Sequence, residues 1–155
     1  MKTSTGNQIS FANAFADLYL DKETGEFALD FRRQEVTIYL NHTQYQALVL
    51  LVQQSVEDEQ FTEFLSWERD PLQCDDNQVF EVCGPDHIVC MSCVPNCERV
   101  KLTFELGVAI DLSFADYQGL SGLIKEAQAD LEWRRELLKW NMADNGNDFA
   151  TGSQD

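Results

Sequence analysis

Basic residues are scarce in this chain of 155 residues: 11 Lys and Arg stand against 27 Asp and Glu, for a formal net charge of -16. Phosphates are held by clustered Lys and Arg, so the shortage argues against direct binding to nucleic acid or to an anionic membrane. Long apolar runs are missing as well. The longest, Ala47 to Val52, is far too short to span a bilayer, and Met1 to Asn13 offers no apolar stretch that would serve as the core of an export signal. A cytoplasmic location is expected, in a reducing compartment where five cysteines stay free or bind metal more readily than they form bridges. Catalytic signatures are absent too: there is no phosphate loop, no G-x-S-x-G, no H-E-x-x-H and no dinucleotide fingerprint. Of the two histidines, His42 follows a helix cap without a visible catalytic partner and reads as a surface residue. Nothing resembles an assembled active site, and a non-enzymatic role is expected.

What is present is an internal match. Val36, Ile38 and Leu40 fall on Val108, Ile110 and Leu112, and Tyr45, Gln46, Leu48, Leu51 and Val52 fall on Tyr117, Gln118, Leu120, Leu123 and Ile124, all at one offset. Upstream, Leu20, Phe27, Leu29 and Phe31 match Cys93, Val100, Leu102 and Phe104 with the offset longer by one residue. A hairpin that sets Phe31 across from Val36 needs the loop Arg32 to Glu35, whereas one that sets Phe104 across from Val108 needs only Glu105, Leu106 and Gly107. The glycine stands where such loops favour positive φ. The shift therefore preserves cross-strand pairing of core residues. Two copies are too few for a solenoid, so the match predicts one body built from a duplicated unit.

Each unit reads as a meander followed by a helix. Leading strands are predicted at Phe15 to Asp21 and His87 to Cys93, before the turns Lys22 to Gly25 and Pro95 to Glu98. Asn41 with Gln44, and Ser113 with Asp116, have the spacing of helix caps. Tyr45, Leu48, Val49, Val52 and Val56 form one helical stripe; Tyr117, Leu120, Ile124, Ala127, Leu131 and Leu138 form the other, continuing to about Met142. The expected fold is α+β, an antiparallel sheet with two equivalent helices on one face. Residues 1–143 form one domain of two repeats, about 9–56 and 79–142. An acidic linker, 57–78, contains a short helix and joins them, and a polar tail, 144–155, is expected to be disordered. The second helix carries an extra stripe, Trp133, Leu137 and Trp140. This either packs inside the molecule, against Phe61, Phe64 and Trp67, or serves as a homodimer or partner surface.

The chemistry-bearing cluster is Cys83, His87, Cys90, Cys93 and Cys97. Zinc favours tetrahedral thiolate and imidazole ligands, and a C-x-x-C on a tight turn brings two sulfurs to one ion. Cys90, Cys93 and Cys97 with either Cys83 or His87 would complete four ligands. In a regular strand, however, Cys90 and Cys93 would point to opposite faces, so free or partly buried thiols stand as the alternative. The equivalent positions in the first copy, Asp17, Leu20 and Thr24, cannot bind the same ion, so the fold itself does not need one. Cys74 lies apart, and Asp75 with Asp76 lacks the surroundings of a calcium loop.

The order of motifs in the second copy, CMSC followed by VKLTFELGVAIDLSFADYQGL, resembles a small, functionally uncharacterised family of bacterial proteins, chiefly of the Bacteroidetes. That family carries cysteines before LxFG-like and LSxxEFxxL-like segments. Here the glycine follows Leu106 and not the phenylalanine, and Asp116 and Tyr117 stand where the family has Glu and Phe. The resemblance spans roughly thirty-five residues, implies the strand-to-helix junction, and brings no activity with it.

Three functions fit these features. The first is a protein-binding or regulatory module steadied by a structural zinc. The second is an acidic mimic of nucleic acid that blocks a DNA- or RNA-binding protein, since Glu57 to Asp86 holds ten acids and one base. The third is an enzyme of unrecognised type, which would require polar groups from both copies to converge on a pocket.

Overall fold

The computed structural model describes residues 1–57, 80–94 and 99–140. The short helix expected at Asp58 to Trp67, the turn Pro95 to Glu98, and the tail from Asp144 lie outside the described residues. Strands β1 (Lys2–Ser4), β2 (Gln8–Ala12), β3 (Ala16–Asp21), β4 (Phe27–Phe31) and β5 (Val36–Leu40) form one antiparallel sheet in chain order. A second antiparallel sheet contains β6 (Phe80–Cys83), β7 (Val89–Val94), β8 (Arg99–Phe104) and β9 (Val108–Ser113). Helix α1 (His42–Glu57) follows β5, and α2 (Phe114–Ala129) follows β9. A third helix, α3, spans 131–140. The class is α+β as expected, but the single sheet is corrected to two. Every pairing is between chain neighbours, and β5 and β9 run straight into helices, so the described strands of one meander make no ladder with those of the other.

The hairpin registers follow the apolar alternation. Phe31 pairs with Val36, and Phe104 with Val108. Gly107 has a φ of +85°, which its lack of a Cβ makes cheap, while Glu35 closes the other loop at φ 55°. Phe27, Leu29 and Phe31 are buried in β4, and Val100, Leu102 and Phe104 in β8. Each such side chain contributes roughly 1.5–3 kcal/mol on burial. The inward stripe is shorter than expected, because Val108 is 45% exposed beside its loop. Ser113 caps α2, its hydroxyl accepting from the Asp116 N–H at 3.0 Å.

The described chain divides into two compact units that mix its halves: Met1–Thr43 with Gly122 onward, and Gln44–Ser121. In the first unit, Trp133 is fully buried, edge-on to Phe11 at 5.4 Å and to Phe27 at 5.7 Å between ring centroids. Its indole N–H donates to Gln128 Oε1 at 3.2 Å. Trp133 is thus core, which corrects the interface reading for that residue; Leu137 and Trp140 are half-buried. The expected single long helix is also corrected. The chain breaks at Asp130, whose carboxylate accepts the Trp133 N–H at 2.9 Å and starts α3. The break turns Trp133 inward and leaves Leu131 and Leu138 each 58% exposed. Lys2 reaches Asp130 and Glu132 at 3.0 Å, and Lys22 reaches Glu132 at 2.9 Å, fastening α3 to the first sheet's edge and turn.

The second unit combines α1 from Gln44 onward, the four-stranded sheet and the start of α2. Tyr45 and Tyr117 are fully buried. The Ser55 hydroxyl donates to the Val52 carbonyl at 2.8 Å and shares a 2.6 Å hydrogen bond with the Tyr117 hydroxyl, which must then donate. A Cβ on Gly84 would lie 3.2 Å from the Ala47 carbonyl oxygen, so α1 passes over the backbone that leaves β6.

Candidate metal centre

Strand β6 ends at Cys83 and β7 begins at Val89, and the turn between them decides where three ligand-type side chains meet. The Gly84 N–H donates to the Val89 carbonyl at 2.9 Å, the His87 N–H to Gly84 at 3.1 Å, and the Ile88 N–H to Pro85 at 3.2 Å. Within this single 3-10 turn, Asp86 (φ 55°) and His87 (φ 56°) both adopt the left-handed conformation. For residues with a Cβ, each such step costs about 1–2 kcal/mol. Strain of this kind persists only where the surroundings impose it.

Two left-handed steps carry His87 back toward the strands it has just left. Cys83 and Cys90 are direct cross-strand partners, a position in which Cβ atoms lie about 4.5–5.5 Å apart. The ligand atoms of Cys83, His87 and Cys90 all fall within 4.8 Å of one another, and His87 Nδ1 is 3.9 Å from Cys90 Sγ. Tetrahedral zinc, with its usual bond lengths, sets S and N ligands about 3.5 Å apart and two sulfurs about 3.8 Å apart. A contraction of a few tenths of an ångström would bring the imidazole and the Cys90 sulfur to that spacing. Cys83 and Cys90 are half-buried and His87 is exposed, so the cluster opens on one side.

Without a cation the cluster resists charge. Burial pushes the Cys90 thiol up to about 11, helped by its hydrogen bond with Cys83 and by the negative potential of Cys83 and Glu81. A divalent ion reverses each of these influences, because it makes the thiolate the stable form. The donor set, two thiols and one imidazole, suits zinc better than a hard cation.

The structure thus brings together three of the five proposed ligands. Cys90 and Cys93 both lie in β7, where Cys93 pairs with Phe80 and Val100, as the strand expected at His87 to Cys93 implies, so the C-x-x-C is not on a tight turn. The turn that gathers ligands is the preceding one. The Cys93 side chain, Cys97, Cys74, Asp75 and Asp76 lie outside the described residues. Strand β6 escaped the sequence reading, although Phe80 and Val82 alternate with Glu81 and Cys83 and end at Gly84-Pro85-Asp86, a turn signal. His42 is not the surface residue expected. It is half-buried at the start of α1, and neither ring nitrogen has a hydrogen-bond partner among the described residues. No helix among the described residues is long and apolar enough to cross a membrane. No protein-family model, no curated protein and no solved structure matches the chain, so a reading of function rests on this geometry.

Proposed function

We propose that the chain is a non-enzymatic binding or regulatory module, working through protein contacts, in which Cys83, His87 and Cys90 supply three of the four ligands of a structural zinc. One observation carries this reading: three ligand atoms within 4.8 Å of one another on a turn that costs backbone strain. An ion would offset that strain and neutralise the thiolates, making the β6–β7 hairpin a rigid element. An exposed hairpin suits a structural ion better than a catalytic one, which works in a water-excluding cleft. Leu131 and Leu138, one turn-pair apart on α3, offer an apolar strip for a partner.

The same proposal includes the duplication. Strands β3, β4 and β5 with α1 repeat the order of β7, β8 and β9 with α2, and the hairpin pairs Phe31–Val36 and Phe104–Val108 stand at matching points. On this reading only the later copy acquired the ligands. The acidic-mimic alternative needs phosphate-like spacing between Glu57 and Asp86, and most of that stretch lies outside the described residues.

Metal analysis of freshly purified, reduced protein tests the proposal. About one zinc per chain is expected, falling to background in Cys83→Ser with Cys90→Ser, with a thermal midpoint lower by about 5 °C or more. A metal-free protein whose stability does not respond to added zinc ends it.

A further inference from the structure

Cys83 and Cys90 face each other across the β6–β7 ladder, and the kind of pair they form has a chemical consequence. The Gly84 N–H donates to the Val89 carbonyl, which makes Gly84 and Val89 a hydrogen-bonded pair. The two kinds of pair alternate along an antiparallel ladder, so Cys83 and Cys90 form a non-hydrogen-bonded pair. That is the closer kind, with Cα atoms about 4.5 Å apart and Cβ atoms at the near end of the cross-strand range. A disulfide takes Cα separations of about 4.4–6.8 Å and Cβ separations of about 3.5–4.5 Å. The two sulfurs already lie within 4.8 Å of each other, so side-chain rotation can close the remaining gap without moving the strands. Cys93, further along β7, stands across from Phe80 and Val100, and the same register gives it no thiol opposite.

Access is also suitable. Both thiols are half-buried and His87 beside them is exposed, so a small reagent can reach the sulfurs from the open side of the cluster. Where thiols are kept largely reduced, the disulfides that do form are mostly transient and redox-sensing. We propose that Cys83 and Cys90 form a reversible disulfide, which makes the β6–β7 hairpin a thiol–disulfide switch. The oxidant is a low-molecular-weight disulfide of the glutathione type. One cysteine sulfur attacks a sulfur of the oxidant and releases one glutathione as a thiol. The second cysteine then attacks the protein sulfur of the mixed disulfide and releases the other. Two S–H bonds of the chain become one S–S bond while the S–S bond of the oxidant becomes two S–H bonds, so two electrons and two protons pass from chain to oxidant. Excess thiol runs the exchange backward. On the zinc reading above, on which this last step rests, the same sulfurs cannot serve both purposes: the bridge removes two of the ion's ligands and releases it.

Cys74→Ser with Cys93→Ser and Cys97→Ser leaves only these two of the five thiols. The reduced, metal-free chain with these substitutions, incubated with glutathione disulfide, should lose both free thiols without linking to a second chain and finish lighter by two hydrogen atoms. After cleavage before Asp86, the peptides carrying Cys83 and Cys90 should stay joined until reduced. Adding Cys90→Ser should leave Cys83 as a persistent mixed disulfide with glutathione. Zinc added beforehand should slow bridging about tenfold or more, and the bridged chain should take up none. Mixed disulfides that never resolve, bridges between chains, or a bridged chain that still holds zinc would overturn the proposal. Should the triple variant fail to fold, the native chain decides: fragmentation of its oxidised peptides must show Cys83 joined to Cys90, and joining to Cys93 or Cys97 instead overturns the switch. The two readings separate, because a chain that bridges but ignores zinc sinks only the zinc, while one that binds zinc and never bridges sinks only the switch.

Discussion

Two turns of this molecule solve the same problem with different means. At 21–25 the Asp21 carboxylate accepts the Glu23 and Thr24 N–H groups at 2.8 and 3.2 Å, and the left-handed position is occupied by Gly25, whose N–H returns to the Asp21 carbonyl at 2.9 Å. At 84–88 the glycine stands elsewhere. Gly84 is extended and is used for clearance under α1, while Asp86 and His87 take the left-handed steps. The first turn is stable on its own terms. The second spends conformational energy, and its two left-handed steps bring one imidazole beside two thiols.

The comparison can be broken or sharpened by substitution. The largest effect is expected in the half that relies on packing: Trp133→Ala removes a fully buried ring from between Phe11 and Phe27. Chemical denaturation should show a loss of about 3–5 kcal/mol. A loss below about 1 kcal/mol would mean that the ring is not central to that unit. Next comes the self-sufficient turn, where Gly25→Ala should cost about 2 kcal/mol, through both its positive φ and the collision with Trp140. At the strained turn the sign should reverse. Asp86→Gly ought to stabilise the metal-free chain by about 1 kcal/mol while leaving all three ligands in place. Equal destabilisation at both turns would erase the contrast drawn between them.

The smallest effect concerns acid. Hydrogen bonds from Lys22, then Lys2, then Ser4 hold the Glu132 carboxyl down to about 2, against an ordinary 4.5. A group whose folded value is depressed contributes stability above its unfolded value and loses it as the pH falls through the folded one. Its contribution is therefore complete above roughly pH 4.5 and vanishes toward pH 2. Since the side chain is 35% exposed, solvent screening reduces the contribution to about 1 kcal/mol. Glu132→Gln should flatten the stability profile over that window, and a profile identical to that of the parent chain would show that the three partners add nothing.

Much of the architecture was legible because it is local. The shared stripes placed β4, β5, β8 and β9, and the one-residue change in offset correctly located the two hairpin loops, including positive φ at Gly107. What escaped notice depends on residues distant in sequence. Strand β2 offers only Ile9 and Phe11 as a signal, and β1 gains its place by pairing with β2. The helix break at Asp130 is invisible in the apolar pattern, because it comes from one carboxylate capping α3 while binding Lys2. An amphipathic stripe reveals that α1 has an apolar face but not which sheet that face covers. The spacing pointed to five candidate ligands, of which the structure brings Cys83, His87 and Cys90 together; their proximity is set by the β6–β7 register that pairs Cys83 with Cys90, which no local spacing reveals.

The membership of the two units has a consequence for synthesis. Residues 44–57 belong with strands made later, and residues 122–140 with strands made at the very beginning. A ribosome must therefore produce all nine described strands before the helix that buries Phe11 and Phe27 emerges. Until then the first sheet waits with its apolar face uncovered, in the kind of half-assembled state that chaperones attend. Cutting the chain anywhere in 58–79 would separate the first sheet from the helix that carries Trp133, and α1 from the four-stranded sheet of its own unit.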